Sequence, residues 1–275
     1  MIFRTKADLD NLPRFNKKVS ASYGRVHLPV APHCNIQCNF YNRIYDCANE
    51  NRPGVTAKVQ TPDESVKFLE KLFKFRQDIS VIGIAGPGDP MCDADKTLAT
   101  FEKCKSHFPN ALLCLSTNGL ALPEHVDEIV RLGVSHVTVT VNAVTPDVGS
   151  KVYSWVRYEG KNYYGEEAAR ILLARQDEGI RKLKEAGMLV KINTVVIPGI
   201  NIDHVQSISA KAKQWGADIM NCMAMIPVHD TPFENLKSPL TEEIHRIRRS
   251  IASDIDQMTH CNRCRADACG KLGER

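Results

Sequence analysis

Nowhere in the 275 residues does an apolar run approach the roughly 20 residues that a membrane-spanning helix requires. The opening stretch, Met1-Ile2-Phe3-Arg4-Thr5-Lys6-Ala7-Asp8, has no apolar signal core, so export is not expected. Charge of one sign is scarce as well. The 36 Lys and Arg face 32 Asp and Glu, and the net +4 is dispersed, which argues against a nucleic-acid partner. No internal repeat and no low-complexity tract interrupts the chain. What these absences leave is a globular chain, 43% hydrophobic and 25% charged, long enough for one large α/β domain in the cytoplasm, with no membrane partner.

Cysteine, by contrast, is abundant. The chain carries ten, and disulfides are rare in a reducing cytosol, so clustered cysteines there point to metal or redox chemistry. Cys34, Cys38 and Cys47 crowd one end, and Cys261, Cys264 and Cys269 the other.

Apolar, β-branched runs alternate with helical patterns. The runs predict strands at 25–29, 80–85, 111–116, 136–142, 190–197 and 218–223. Between them, Val66, Leu69, Leu72 and Phe73 share one helical face. Val126, Ile129 and Val130 form a second, Ile180 and Leu183 a third, and Val205, Ile208 and Ala212 a fourth. Gly133, Gly187 and Gly216 fall where those helices should stop. Six strand–helix units imply a parallel sheet with helices outside, and six are too few for a closed eight-unit barrel. An open, partial barrel is therefore expected, with a doubly wound sheet as the alternative. Residues 157–165, with Tyr158, Tyr163 and Tyr164, read as an excursion or lid.

Ligands of such sheets bind at the carboxyl ends of the strands. The unusual residues collect there: Cys34-Asn35-Ile36-Gln37-Cys38-Asn39-Phe40-Tyr41 after the first strand, Gly86-Pro87-Gly88-Asp89-Pro90 after the second, Ser116-Thr117-Asn118-Gly119 after the third, and Asn142 ending the fourth. Taken alone, the first loop fits a pair of buried thiols or a zinc site as well as an iron–sulfur cluster. Taken alone, His27 reads as a hydrogen-bonded core histidine and Cys114 as a buried strand residue. Cys104 and Cys222 read as small buried hydrophobes.

Several of these segments together resemble the NifB family of radical S-adenosylmethionine (radical SAM) enzymes. The resemblance runs in order through His27-Leu28-Pro29-Val30-Ala31-Pro32, the Cys34–Asn39 loop, Asp46-Cys47 and Arg52-Pro53-Gly54-Val55. It continues through Gly86-Pro87-Gly88-Asp89-Pro90, Cys114-Leu115-Ser116-Thr117-Asn118-Gly119-Leu120 and Val137-Thr138-Val139-Thr140-Val141-Asn142-Ala143. It ends with Cys261-Asn262-Arg263-Cys264-Arg265-Ala266-Asp267-Ala268, so it covers residues 24–270.

That resemblance implies a partial (β/α)6 TIM-like barrel of the radical SAM type. It would form one domain over 1–275, with segments 1–23 and 252–275 folding over the mouth to supply cluster ligands. It implies up to three 4Fe–4S clusters and S-adenosylmethionine. The radical cluster would be held by a CxxxCxxC motif, here Cys34 and Cys38, with Phe40 beside the adenine. Gly86, Gly88 and Asp89 would meet the cofactor's amino group, and Ser116, Thr117, Asn118 and Asn142 its ribose or methionyl part. Cys47, Cys261 and Cys264 would hold one precursor cluster, and His27 with Cys114 the other, with Glu50 and Arg52 supporting them. The implied activity is fusion of two 4Fe–4S clusters and insertion of a SAM-derived carbide, giving the eight-iron precursor of the nitrogenase cofactor. Implied partners are a cluster donor and separate carrier or maturation proteins.

Two positions depart from the family pattern. Tyr41 stands at the third cysteine of CxxxCxxC, and Arg14, in Leu12-Pro13-Arg14-Phe15, at a further ligand cysteine. Cys47, Cys92 and Cys269 are the nearby candidates for a replacement ligand. The departures raise an alternative, a NifB-derived cluster scaffold or carrier with impaired SAM chemistry. A radical SAM enzyme of another substrate class is a third reading.

Overall fold

The structure is a computed structural model that describes residues 24–47, 56, 58–259 and 267–271. Six parallel strands carry the fold: β1 (Gly24–Ala31), β3 (Ile79–Pro87), β4 (Leu112–Thr117), β5 (Val134–Thr140), β8 (Leu189–Val196) and β9 (Ile219–Ala224). They lie side by side in the order in which the chain makes them, β1-β3-β4-β5-β8-β9. A doubly wound sheet reverses its order at a switch point. This one never does, so the helices all return on one side and the sheet is an open (β/α)6 partial barrel. Each of the six runs expected from the sequence coincides with one of these strands.

Each return crosses through a helix: α1 (Pro62–Leu72), α2 (Ala94–His107), α3 (Val126–Arg131), α4 (Pro146–Val152), α5 (Gly165–Glu185), α6 (Val205–Trp215) and, after β9, α7 (Thr241–Ser250). Local chemistry sets their ends. Thr61 caps α1 in a reciprocal capping box with Glu64, and Pro62 opens the helix. Gly133, Gly187 and Gly216 take the left-handed φ of 72–73° that stops α3, α5 and α6. The main core lies between strands and helices, where Ile82, Ile84, Leu115, Val139 and Ile192 from the sheet meet Phe101, Ile129, Leu183 and Ile208 from the helices. No helix among the described residues is long and apolar enough to cross a membrane.

Two further features bear on the site. The short strand β10 (Cys269–Gly270) pairs antiparallel with β1 at Arg25 and Val26, bringing the C-terminal segment to that edge. A separate three-stranded sheet, ordered β2-β6-β7, joins β2 (Ile36–Cys38) to a hairpin of β6 (Tyr153–Tyr158) and β7 (Lys161–Tyr163). The segment read as an excursion or lid is thus the far half of a hairpin whose near strand pairs with the cysteine loop. Residues 1–23 and 260–266, with the ligand positions expected there, lie outside the described residues.

Candidate active site

The cysteine loop leaves β1 at Ala31 and is held from three sides. Its strand β2 pairs with β6, with Gln37 opposite Trp155 and Cys38 opposite Tyr153. Arg43 folds back over it, donating through Nη2 to the Ile36 carbonyl at 2.7 Å and through Nε to Gln37 Oε1 at 2.7 Å, while its guanidinium stacks on Trp155 at 4.8 Å. From below, the backbone of residues 32–33 presses onto Gly88. A Cβ there would sit 2.1 Å from the His33 carbonyl oxygen, so only glycine allows the approach. The Gly88 and Asp89 amides donate to the Ala31 and His33 carbonyls, each at 2.6 Å.

At the strand ends lies a small pocket lined by Cys34, Ile36, Cys38, Tyr41, Cys47, Asp89, Asn118, Thr140, Asn142 and Tyr153. Asp89 is fully buried and spends its carboxylate internally. Oδ1 accepts from the Met91 amide and the Thr117 hydroxyl, both at 2.9 Å, and Oδ2 accepts from the Asn118 amide at 2.5 Å. Burial pushes its carboxyl up, against the pull of the bonds from Asn118, Thr117 and Met91. Asp89 thereby ties the β3 loop to the end of β4. Asn118, so fixed, donates through Nδ2 to Asn35 Oδ1 at 2.7 Å and lies 3.7 Å from Cys34 Sγ. From α5, buried Gln176 donates to the carbonyls of Asn118 and Thr140 at 2.7 and 2.9 Å, joining the ends of β4 and β5 beneath the pocket. Thr140 lines the pocket, and its buried hydroxyl has no partner among the described residues.

Tyr41 is itself buried in the lining. Its hydroxyl donates to the Tyr45 carbonyl, and its own carbonyl accepts from Gln37 Nε2 at 2.6 Å. Burial, reinforced by the thiols of Cys47, Cys34 and Cys38 in that order, pushes the phenol well above its ordinary range. It is a neutral donor, already engaged. Cys47 also lines the pocket, its amide donating to the Pro87 carbonyl at 2.7 Å. Burial pushes the Cys34 thiol up to about 12 and the Cys38 thiol up as well.

His27 and Cys114 meet at a second place. They occupy β1 and β4, on either side of Gly83 in β3 and in register with it. A Cβ on Gly83 would lie 2.7 Å from Cys114 Sγ and 2.8 Å from His27 Cδ2. The missing side chain therefore lets imidazole and thiol converge. The sequence carried a signal for this, since a glycine inside a Val81-Ile82-Gly83-Ile84 run marks a close approach. Gln176 and Thr140 were also missed. The one looks like an ordinary polar residue on a helix, the other like any hydroxyl at a strand end.

The remaining positions fall as follows. Phe40 is buried with Tyr41, Val152 and Tyr153 in an apolar cluster and, unlike the two tyrosines, does not line the pocket. Gly86 is the last residue but one of β3, and Ser116 and Thr117 are buried at the end of β4, where the Ser116 hydroxyl has no partner among the described residues. Cys104 and Cys222 are buried in the main core, as expected, while Cys92 and Cys269 are exposed. Glu50, Arg52, Cys261 and Cys264 lie outside the described residues.

The donors suit an iron–sulfur cluster better than a single ion. Sulfurs around tetrahedral zinc, with bonds near 2.3 Å, stand about 3.8 Å apart. Among the described residues, the one trio of His, Cys, Asp or Glu side chains whose ligand atoms all lie within 4.8 Å of one another is exposed His229, Asp230 and Glu234. Cys34, Cys38 and Cys47 thus share a pocket without converging on one point. A cubane, whose irons occupy separate corners, takes thiol donors so arranged.

An open (β/α)6 barrel with a cysteine loop at its mouth defines the class, and the profile of the radical SAM superfamily matches residues 28–212. The chain belongs to that superfamily. Within it, the chain is similar to the FeMo cofactor biosynthesis protein NifB. It is 43% identical over 267 residues to that of Chlorobaculum tepidum, covering 97% of this chain and 63% of that protein. It is 44% identical over 266 residues to that of Klebsiella pneumoniae, covering 95% and 57%. The chain thus spans less than two-thirds of the length of these relatives. The fold is shared with SuiB of Streptococcus suis, with a TM-score of 0.61 at 12% identity over 93% of this chain and 55% of that one. It is shared too with methylornithine synthase (PylB), with a TM-score of 0.55 at 17% identity over 98% and 85%.

Proposed function

We propose that this chain is a radical SAM enzyme of nitrogenase cofactor assembly, whose substrates are two 4Fe–4S precursors that it fuses with insertion of a SAM-derived carbide. The observation that carries the reading is the pocket at the strand ends, where thiols share a buried lining with amide and hydroxyl side chains. A 4Fe–4S cluster with S-adenosylmethionine, when bound, supplies one-electron reductive cleavage of the cofactor.

The chain's own residues supply the setting. Cys34 and Cys38 offer thiols on a loop braced by Arg43 and β6. Asn118 and Asn142 present amides across the pocket, and the Thr140 hydroxyl, without a partner among the described residues, offers a hydrogen bond to a polar group of the cofactor. Ile36 and Tyr153 exclude water from one side. His27 and Cys114, converging over Gly83, are the ligands proposed for one precursor, and an imidazole suits a substrate that must be released again. Cys261 and Cys264 are proposed for the other. A cluster donor and carrier proteins are the proposed partners.

Anaerobic protein reconstituted with iron and sulfide, reduced with dithionite and given S-adenosylmethionine should release 5′-deoxyadenosine. A fully loaded, reduced protein that releases none would sink the enzyme reading. It would favour the scaffold reading instead, in which iron is held without cleavage. The observation on that side is Tyr41, a neutral phenol standing where the family pattern has a thiol.

A further inference from the structure

The superfamily's motif asks for three thiols in the first loop, and this loop provides two. Tyr41 cannot act as the third without breaking what holds it. Its hydroxyl is engaged with the Tyr45 carbonyl, and its backbone is locked by Gln37 and by its own amide bond to the Cys38 carbonyl at 3.3 Å. A neutral oxygen donor is also a poor match for iron that is otherwise bound by thiolate. Six residues further on, the chain places Cys47 in the lining shared by Cys34 and Cys38. It is held there by its own amide and by the residue before it. The Cys47 amide is tied to the Pro87 carbonyl at the end of β3, and the adjacent buried Asp46 accepts from the Thr56 amide at 2.9 Å. The stretch that carries Cys47 is therefore fixed where it adds a third thiol to the lining.

We propose that Cys34, Cys38 and Cys47 together hold one 4Fe–4S cluster in this chain, with Tyr41 a buried spacer and not a ligand. This rests on the proposed function only in supposing that the pocket takes such a cluster. On binding the cluster, Cys34, Cys38 and Cys47 would each give up the thiol proton to solvent and hold it as thiolates. The family resemblance assigns Cys47 to a precursor with Cys261 and Cys264. Here that assignment is exchanged, and the C-terminal pair is left one thiol short.

The test uses the full chain carrying Cys114→Ala, Cys261→Ala and Cys264→Ala, which removes the thiols of both proposed precursor sites from the count. After anaerobic reconstitution, iron and acid-labile sulfide are measured per chain, with low-temperature EPR of the reduced protein with and without S-adenosylmethionine. This parent should keep about four irons and a signal that changes on adding the cofactor. Adding Cys47→Ala should remove most of that iron and the signal. Adding Tyr41→Cys to the Cys47→Ala protein should restore both, since it returns the third thiol to the loop, and restoration also shows that Cys47→Ala still folds. Unchanged iron and signal in the Cys47→Ala protein would overturn the assignment. So would a parent that binds no cluster, or a Tyr41→Cys change that restores nothing. A cluster lost and regained in this way without release of 5′-deoxyadenosine would leave the ligand assignment standing while removing the enzyme reading.

Discussion

Gly83 shows how much one absent side chain arranges. It sits mid-strand, between two neighbouring strands whose facing residues are a histidine and a cysteine, both buried. A methyl group on it would come 2.7 Å from Cys114 Sγ and 3.1 Å from His27 Nε2. Real Cβ atoms do not approach so closely, and rigid strands on both sides leave the neighbours little room to yield. Gly83→Ala is therefore an overpacking change expected to cost about 1–3 kcal/mol, seen as a Tm lower by several degrees. Adding Cys114→Ala removes the nearest atom and should recover part of the loss. If the double variant is no more stable than Gly83→Ala, the contact with Cys114 is not the source of the strain. Gly88 works by the same means on backbone instead of side chains, since the residues that lead into Cys34 lie on the face a Cβ would occupy.

Among the elements, α5 does the most joining. Its buried Gln176 bonds the ends of β4 and β5, and one residue later Asp177 turns outward to α6. Asp177 accepts from Trp215 Nε1 at 2.8 Å and Arg181 Nε at 2.6 Å, and it pairs with Lys211 at 3.0 Å. Burial works to raise its carboxyl, but the bonds from Arg181, Trp215 and Lys211 outweigh it and hold the group below the usual carboxylate range. A carboxyl with a depressed folded value lends stability that is complete at neutral pH and is lost as pH falls below about 4. Asp177→Asn should lower Tm by about 2 °C at pH 7, the size expected for a half-exposed ion pair. The difference from the unmutated protein should begin to narrow below about pH 4 and be only partly lost at pH 2, because the folded carboxyl titrates lower still. A gap of the same size at pH 7 and pH 2 would assign the effect to hydrogen bonding alone. The elements also divide by how plainly the sequence announces them. The six barrel strands are largely apolar runs buried on both faces, so apolar composition reveals them. Even so, β5 begins at Val134, two residues before the apolar pattern suggests, because Ser135 and His136 are buried polar residues satisfied in part by each other. The strands β2 and β7 have three residues each, too few for a period to show, and their partner β6 is half exposed. The cysteines, Asp89, Asn118 and Asn142 were legible because their chemistry is uncommon at strand ends. Thr140 and Gln176 were not, because only the fold distinguishes them from ordinary caps and helix polar residues.

At the scale of the whole molecule, the pocket lies at the seam of two apolar bodies. One is the sheet–helix core of the barrel. The other is the smaller cluster of Ile36, Phe40, Tyr41, Tyr153, Val156 and Leu172 beneath the cysteine loop. The loop is short, and little of it is buried in the barrel itself. Its order comes from the second body, through the pairing of β2 with β6 and the stack of Arg43 on Trp155. Stability need not be uniform across such a seam, and regions with fewer buried contacts open at lower free energy. Trp155→Ala removes the stacking surface of Arg43 while leaving the backbone ladder and the barrel untouched. A cation–π contact at a partly exposed site contributes about 1 kcal/mol, which corresponds to about fivefold in a local opening constant. Amide hydrogen exchange of residues 36–43 should therefore quicken by about that factor, while the amides of β3, β4 and β5 stay as they were. Equal acceleration in those strands would mean that the two bodies open together, and the cysteine loop would then be as rigid as the barrel that carries it. Acceleration confined to the loop would make the hairpin the element that holds the thiols in place.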